Sequence, residues 1–260
     1  MDRVIASWFF LLLVTFCALP MSSVAAGDDI TGLREKAKNG DRVAQYNLGA
    51  AYANGNGVRK DLREAVKWYS KSAKQGNAPA QNELGRCHYK GWGVSTDYQA
   101  AVKWFRKAVL KGHDGAQNSL GVCYFHGKGV KKDHRQAVEW FRKAAKHGNA
   151  KAQYNLGVAY REGQGAPVAS QQAALWFKKA ALNGHAGAQN ALGVLFARGK
   201  GVRRNLILAY AWMNLSAAQG NREGKQNLSI IRPKLTPDQR NAAEKKTIEL
   251  EKEIDKRKPQ

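Results

Sequence analysis

Glycine returns every 36 residues along this chain, at Gly49, Gly85, Gly121, Gly157 and Gly193. A second series, Gly76, Gly112, Gly148, Gly184 and Gly220, keeps the same step. So do Trp68, Trp104, Trp140, Trp176 and Trp212, and Ala65, Ala101, Ala137, Ala173 and Ala209. A fixed period of this length means units that bury too little surface alone and share a core by stacking, which excludes a single closed globule. The unit reads A-Q-x-x-L-G-x-x-(aromatic)-x-x-G-x-G-V-x-x-D-x-x-x-A-x-x-W-(Y/F)-x-K-(A/S)-A-x-x-G. Its copies begin at Ala44, Ala80, Ala116, Ala152 and Ala188.

Each copy is predicted to be a pair of helices. Ala44, Leu48 and Tyr52 fall on one helical face. Gly55 and Gly57 follow, where a left-handed residue ends a helix. Asp61, Asp97 and Asp133 then stand at the N-cap of a second helix, where a side-chain oxygen accepts a free N–H, worth about 1 kcal/mol. Ala65, Trp68, Tyr69, Ser72 and Ala73 mark the apolar face of that helix, Gly76 ends it, and Asn77 caps the next unit. The expected fold is all-α, a right-handed α-solenoid of helix-turn-helix units.

The expected divisions are a signal peptide over 1–26, an N-terminal half repeat over 27–43, five repeats over 44–223, and a C-terminal cap with a charged helix over 224–260. Arg3, the apolar run from Val4 to Leu19 and the small exit Val24-Ala25-Ala26 carry the first of these. The run is shorter than the roughly 20 residues of a spanning helix. Cys17 follows Phe16 where a lipoprotein signal needs a small residue, so lipidation is not expected. Ala37 and Gly40 lie 36 residues before Ala73 and Gly76, which makes residues 30–40 the second helix of a half repeat. In the fourth unit Ala166-Pro167-Val168-Ala169 replaces V-x-x-D, with Ser170 expected to cap one residue late and a local bend at Pro167. Asn205 replaces the Asp in the fifth unit. After Asn221 the pattern is expected to fade, and Thr236-Pro237-Asp238-Gln239 begins a helix running to about Lys256.

The G-x-G-V-x-x-D turn followed by A-x-x-W-Y resembles the Sel-1-like repeat family, a relative of the tetratricopeptide repeat, over residues 44–220. The resemblance implies a scaffold whose first helices line a concave groove for peptides or folded partners. Carried onto this chain, the groove positions are Tyr46, Asn82, Arg86, Tyr89, Asn118, Phe125, His126, Tyr154, Arg161, Asn190 and Arg198. Aromatic rings supply contact area there, and Asn and Arg bind backbone or carboxylate. Some secreted members carry a disulfide within each repeat, but this chain lacks the second Cys of each unit.

Catalytic motifs are absent. Beyond the signal there is no G-x-S-x-G, H-E-x-x-H or P-loop, and no S-x-x-K of the kind expected if the chain shared the β-lactamase association of some family relatives. A dinucleotide fingerprint follows a strand once per βαβ unit, whereas G-x-G here recurs between helices. The Trp series is expected to be inter-helix core. Cys87 and Cys123 occupy one position in successive units, about 9–10 Å apart by helix packing. That exceeds the roughly 7 Å reach of a disulfide, so free thiols are expected. His113 and His185 are expected in turns and His88 in the core. Cys87, His88, Cys123 and His126 lack a metal-ligand spacing, so neither metal nor cofactor is expected.

Lys and Arg number 43 against 20 Asp and Glu, a net charge of +23 spread along the array. A stripe on the second helices comprises Lys71, Arg106, Lys107, Arg142, Lys143, Lys178 and Lys179. Such a field adds up along the array, yet salt screens it within about 8 Å. The leading reading is a non-enzymatic, exported scaffold or adaptor of the bacterial envelope, periplasmic or secreted, monomeric, with a protein or peptide partner. The alternatives are binding of an anionic envelope polymer or lipid through the stripe, and a cell-wall hydrolase or β-lactamase. Export argues against nucleic acid.

Overall fold

The computed structural model describes residues 30–257, so the segment expected to be a signal peptide and Cys17 lie outside the described residues. Five first helices, α2 (Arg42–Asn54), α4 (Ala78–Lys90), α6 (Asp114–His126), α8 (Ala150–Glu162) and α10 (Ala186–Arg198), alternate with five second helices. These are α3 (Leu62–Lys74), α5 (Tyr98–Val109), α7 (His134–Lys146), α9 (Ser170–Leu182) and α11 (Leu206–Ala218). The half-repeat helix α1 (Ile30–Lys38) precedes them. A further helix, α12 (Arg222–Ile231), a short 3-10 turn and α13 (Pro237–Asp255) follow. The described residues contain no strand. Each second helix packs on its own first helix and on the next one, which makes an α-solenoid.

Local chemistry sets the helix boundaries. Asp61 Oδ1 accepts from the Arg63 and Glu64 N–H groups at 2.9 and 3.1 Å. Asp97, Asp133 and Asn205 cap α5, α7 and α11 in the same way. The fourth unit differs from the sequence expectation: Ser170 is the first helical residue, and Ala169 stands at the cap with no side-chain bond. A backbone tie explains why the helix starts there anyway. The cap N–H donates to the carbonyl of the first helix's conserved-register aromatic or His in every unit: Asp61 to Tyr52, Asp97 to His88, Asp133 to Tyr124, Ala169 to Tyr160 and Asn205 to Phe196, each at 2.9 Å. This tie needs no side chain, so the loop closes across Pro167 as it does elsewhere.

The core repeats as well. Tyr69, Phe105, Phe141, Phe177 and Met213 are buried, each against the helical Gly of its own unit. A Cβ on Gly85, Gly121 or Gly157 would come within 2.6 Å of that ring. The Trp one residue earlier is less central: Trp68 and Trp212 are buried, but Trp104, Trp140 and Trp176 are half-buried. The expected Trp core is therefore carried mainly by its neighbour. Buried Gln side chains pin the layers together. Gln153 Nε2 donates to the Ala145 carbonyl of the preceding unit at 3.1 Å, and its Oε1 accepts from Asn183 of its own unit at 3.0 Å. Gln45 and Gln189 do the same with Gln75 and Gln219. Where Lys111 and His147 replace that amide, the buried Oε1 atoms of Gln81 and Gln117 have no partner.

The matched residue pattern ends at Asn221, but a helix still follows in the place of a first helix. That residue caps α12, accepting from Gly224 N–H at 2.7 Å, and α12 is a sixth first helix. α13 starts with a full capping box between Thr236 and Gln239. It packs back on α11: Ala243 joins Ala209, Tyr210 and Met213, while Leu250 and Ile254 join Ala211, Trp212 and Leu215.

Candidate functional site: two faces of the array

First helices of neighbouring units approach each other directly, at α4–α6 and α10–α12. Side chains also join them. Asn155 Nδ2 donates to Asn118 Oδ1 at 3.0 Å and Asn227 Nδ2 to Asn190 Oδ1 at 2.9 Å. Ser119 approaches Asn82 Oδ1 at 3.5 Å. This crowded layer is the inner side of the stack. The same bonds change the role of some expected groove residues. Asn82 and Asn118 are 6% and 9% exposed, so they are not free recognition groups. Their amides fall between adjacent first helices and are consumed there, and half-buried Asn190 is engaged in the same way. The signal was present in the polar residues 37 positions on, Ser119, Asn155 and Asn227.

The other groove positions form a half-buried aromatic and basic lane. Tyr89 meets Tyr98 edge-on at 5.3 Å between centroids, and Phe125 stacks on His134 at 4.7 Å. Tyr154 stacks on His185 at 4.6 Å, and Tyr46 is tilted against Tyr69 at 5.9 Å. Arg86 is held by Glu83 at 2.8 Å, and its guanidinium lies over Trp92. Arg161 contacts Glu162 at 2.7 Å and lies over Phe177. His126 and Arg198 are exposed.

The stripe lies on the second-helix layer, and aromatic side chains organise it. Lys71, Lys107, Lys143 and Lys179 place Nζ 4.2, 4.4, 4.4 and 4.4 Å from the ring centroids of Trp68, Trp104, Trp140 and Trp176. The Trp rings thus orient four successive ammonium groups. Arg106 and Arg142 donate to the Tyr124 and Tyr160 hydroxyls at 3.4 Å. Lys178 is exposed.

Cys87 and Cys123 are free and buried, and burial pushes their thiols up to about 11 and about 12. Such thiols are protonated at neutral pH and poor nucleophiles. Among the described residues no group of His, Cys, Asp or Glu gathers closely enough to hold a metal. No described helix is long and apolar enough to cross a membrane. His88 is half-buried, with Nδ1 unpartnered.

His113 and His185 have a sharper role than turn residues. Each is an N-cap whose Nδ1 accepts from a backbone N–H, of Ala116 and Ala188, at 3.1 Å. This requires the neutral ring. Burial, the main cause, lowers both pKa values below the ordinary 6.5. A lowered folded pKa gives stability that is complete above the unfolded value and lost as pH falls through the folded one. His185→Asn copies the Asn149 cap and should flatten that acid loss. Thermal melts from pH 7 to 4 read it, each cap being worth about 1 kcal/mol.

Tandem helix pairs joined by a repeated seam define a helical repeat protein. The Sel1 repeat model matches residues 42–77, 78–113, 115–149, 150–185 and 186–221. This chain belongs to the Sel1 repeat family, whose proteins are generally non-catalytic scaffolds that bind protein partners. A solved structure of c5321, a protective antigen present in uropathogenic Escherichia coli strains, is similar at 35% identity and TM-score 0.78, covering 88% of this chain and 51% of that one. A Sel1 repeat protein from Oxalobacter formigenes is similar at 34% identity and TM-score 0.62, covering 74% of this chain and 79% of that one. A putative sel1-like repeat-containing protein L18 of Acanthamoeba polyphaga mimivirus is 50% identical over 36 residues, 14% of this chain and 6% of that protein. The chain therefore spans about half of the first structure and a small part of the viral protein.

Proposed function

We propose that this protein is an exported, non-enzymatic adaptor of the bacterial envelope, periplasmic or secreted, that holds a protein or peptide segment along its first-helix layer. One observation carries the reading: Tyr89, Phe125 and Arg161 recur at one register position, flanked by exposed His126 and Arg198. Half-buried rings beside exposed hydrogen-bonding side chains, one of them an Arg, are the composition of protein-binding hot spots. The monomer carries the whole lane. A second reading, attachment of an anionic envelope polymer or lipid to the second-helix stripe, is favoured by the four Trp-oriented lysines.

Crosslinking capture from intact envelopes separates the two. Wild type is compared with Tyr89→Ala/His126→Ala/Arg198→Ala and with Lys107→Ala/Lys143→Ala, all checked for an unchanged melting temperature. The adaptor reading expects a discrete protein that is lost with the first variant and kept with the second. Capture that ignores the first variant, and disappears with the second or with added salt, overturns it.

A further inference from the structure

Five first helices in this chain carry the same face toward their own second helix, as Gln189, Leu192, Gly193 and Phe196 do in α10. On α12 the equivalent positions are Lys225, Leu228, Ser229 and Arg232. α13 leaves Lys225, Ser229 and Arg232 exposed, because it turns back onto α11 and reaches α9; only half-buried Leu228 packs against the core that Ala243 of α13 joins. The uncovered face and the start of α13 enclose a cleft of about 540 Å³ lined by Lys225, Leu228, Ser229, Arg232, Pro233 and Arg240. Three cations and no carboxylate line it. Glu244, one turn along α13 from Arg240, accepts instead from the Tyr210 hydroxyl at 3.4 Å. The buried Arg240 Nε has no hydrogen-bond partner.

We propose that this end of the array is a docking place for an acidic amphipathic helix of a partner protein, which completes the sixth unit in trans. The place has the shape of a helix seat because the same face is filled by a helix in each preceding unit. Leu228 supplies the apolar centre, and Lys225, Arg232 and Arg240 call for carboxylates around it. A second copy of this chain fits poorly. Its acid-rich α13 is already packed on its own α11, its α3 and α7 hold a single Glu each, and its α5 and α9 carry no acid and two or three Lys or Arg. Their large aromatic also needs the Gly that Ser229 replaces, since a Cβ at Gly85 or Gly157 would reach within 2.6 Å of the ring. The occupant is therefore acidic and has a small residue opposite Ser229. This surface is separate from the first-helix lane, so either assignment can fail without the other.

The test uses the intact chain and a labelled, synthetic helical peptide of Ala and Glu with one Leu face, read by fluorescence anisotropy. The Gln version of that peptide is the control. Lys225→Glu/Arg232→Glu should weaken binding by at least about tenfold, as expected when desolvated charge pairs are broken. Lys103→Glu/Lys131→Glu, the same change of net charge at exposed residues outside every surface described above, should leave it nearly unchanged. Ser229→Trp fills the cleft without altering charge and should also block binding, which keeps the test open if a charge reversal misfolds. No binding of the Glu peptide, equal binding of the Gln peptide, or equal losses from the cleft variant and the Lys103/Lys131 variant would each overturn the proposal. So would a dimer in sedimentation that Arg232→Glu abolishes, since that would make a second copy the occupant.

Discussion

Truncation of Phe141 to Ala should cost about 3–5 kcal/mol in urea denaturation, the range for a buried aromatic. Its ring is 2% exposed and lies where a Cβ on Gly121 would sit 2.6 Å from Cε1 and 3.3 Å from the Ala137 carbonyl. Gly121→Ala gains up to about 1 kcal/mol of helix propensity but overfills this contact, a cost of about 1–3 kcal/mol. The single change should therefore destabilise. In the Phe141→Ala background it should do the reverse, because the new methyl enters the space the ring has left. A double-mutant cycle with a coupling above about 0.5 kcal/mol and that reversal of sign supports a ring-on-glycine core. Simple additivity of the two changes would mean that the glycine is there for another reason.

The seam between units should be more sensitive still to one methyl group. Gly129, the second glycine of its G-x-G, has φ +73° and lies against the carbonyl of Tyr98 at the start of the preceding second helix. A Cβ there meets backbone, which has no rotamer to give way, and also carries the roughly 1–2 kcal/mol left-handed penalty. Gly127 also has positive φ, but its new Cβ would meet the Lys132 side chain at 3.0 Å. Gly129→Ala should thus lose clearly more stability than Gly127→Ala. Hydrogen exchange should place that loss on both sides of the seam between α5 and α6–α7, since neighbouring-unit contacts carry repeat stability. Equal losses for the two glycines would show that backbone conformation, rather than the seam, sets the cost.

Much of this architecture is legible in the sequence because period, cap and glycine are local signals. Asp61, Asn77 and Thr236 announce their caps, and each is found there. What the sequence pattern left open depends on contacts between units. Ala169 has no capping side chain, and only the Tyr160 carbonyl shows how its helix begins. His113 and His185 sit where Asn stands elsewhere, and one ring nitrogen can replace an amide oxygen. Asn82 and Asn118 fit a recognition surface by residue type, yet the close approach of first helices turns that position inward. The half-buried state of Trp104, Trp140 and Trp176 likewise follows from the smaller ring beside each one taking the centre.

The loop tie is made entirely by backbone atoms, and the same second glycine rests on the same first-turn carbonyl at Gly93, Gly129, Gly165 and Gly201. The backbone of each joint therefore matches the next, although the side chains that pin it differ. A whole unit added or removed would keep this backbone seam, so the length of this molecule is a quantity that recombination can change in single steps. The reach between its first and last described helices is counted in modules, as on a ruler.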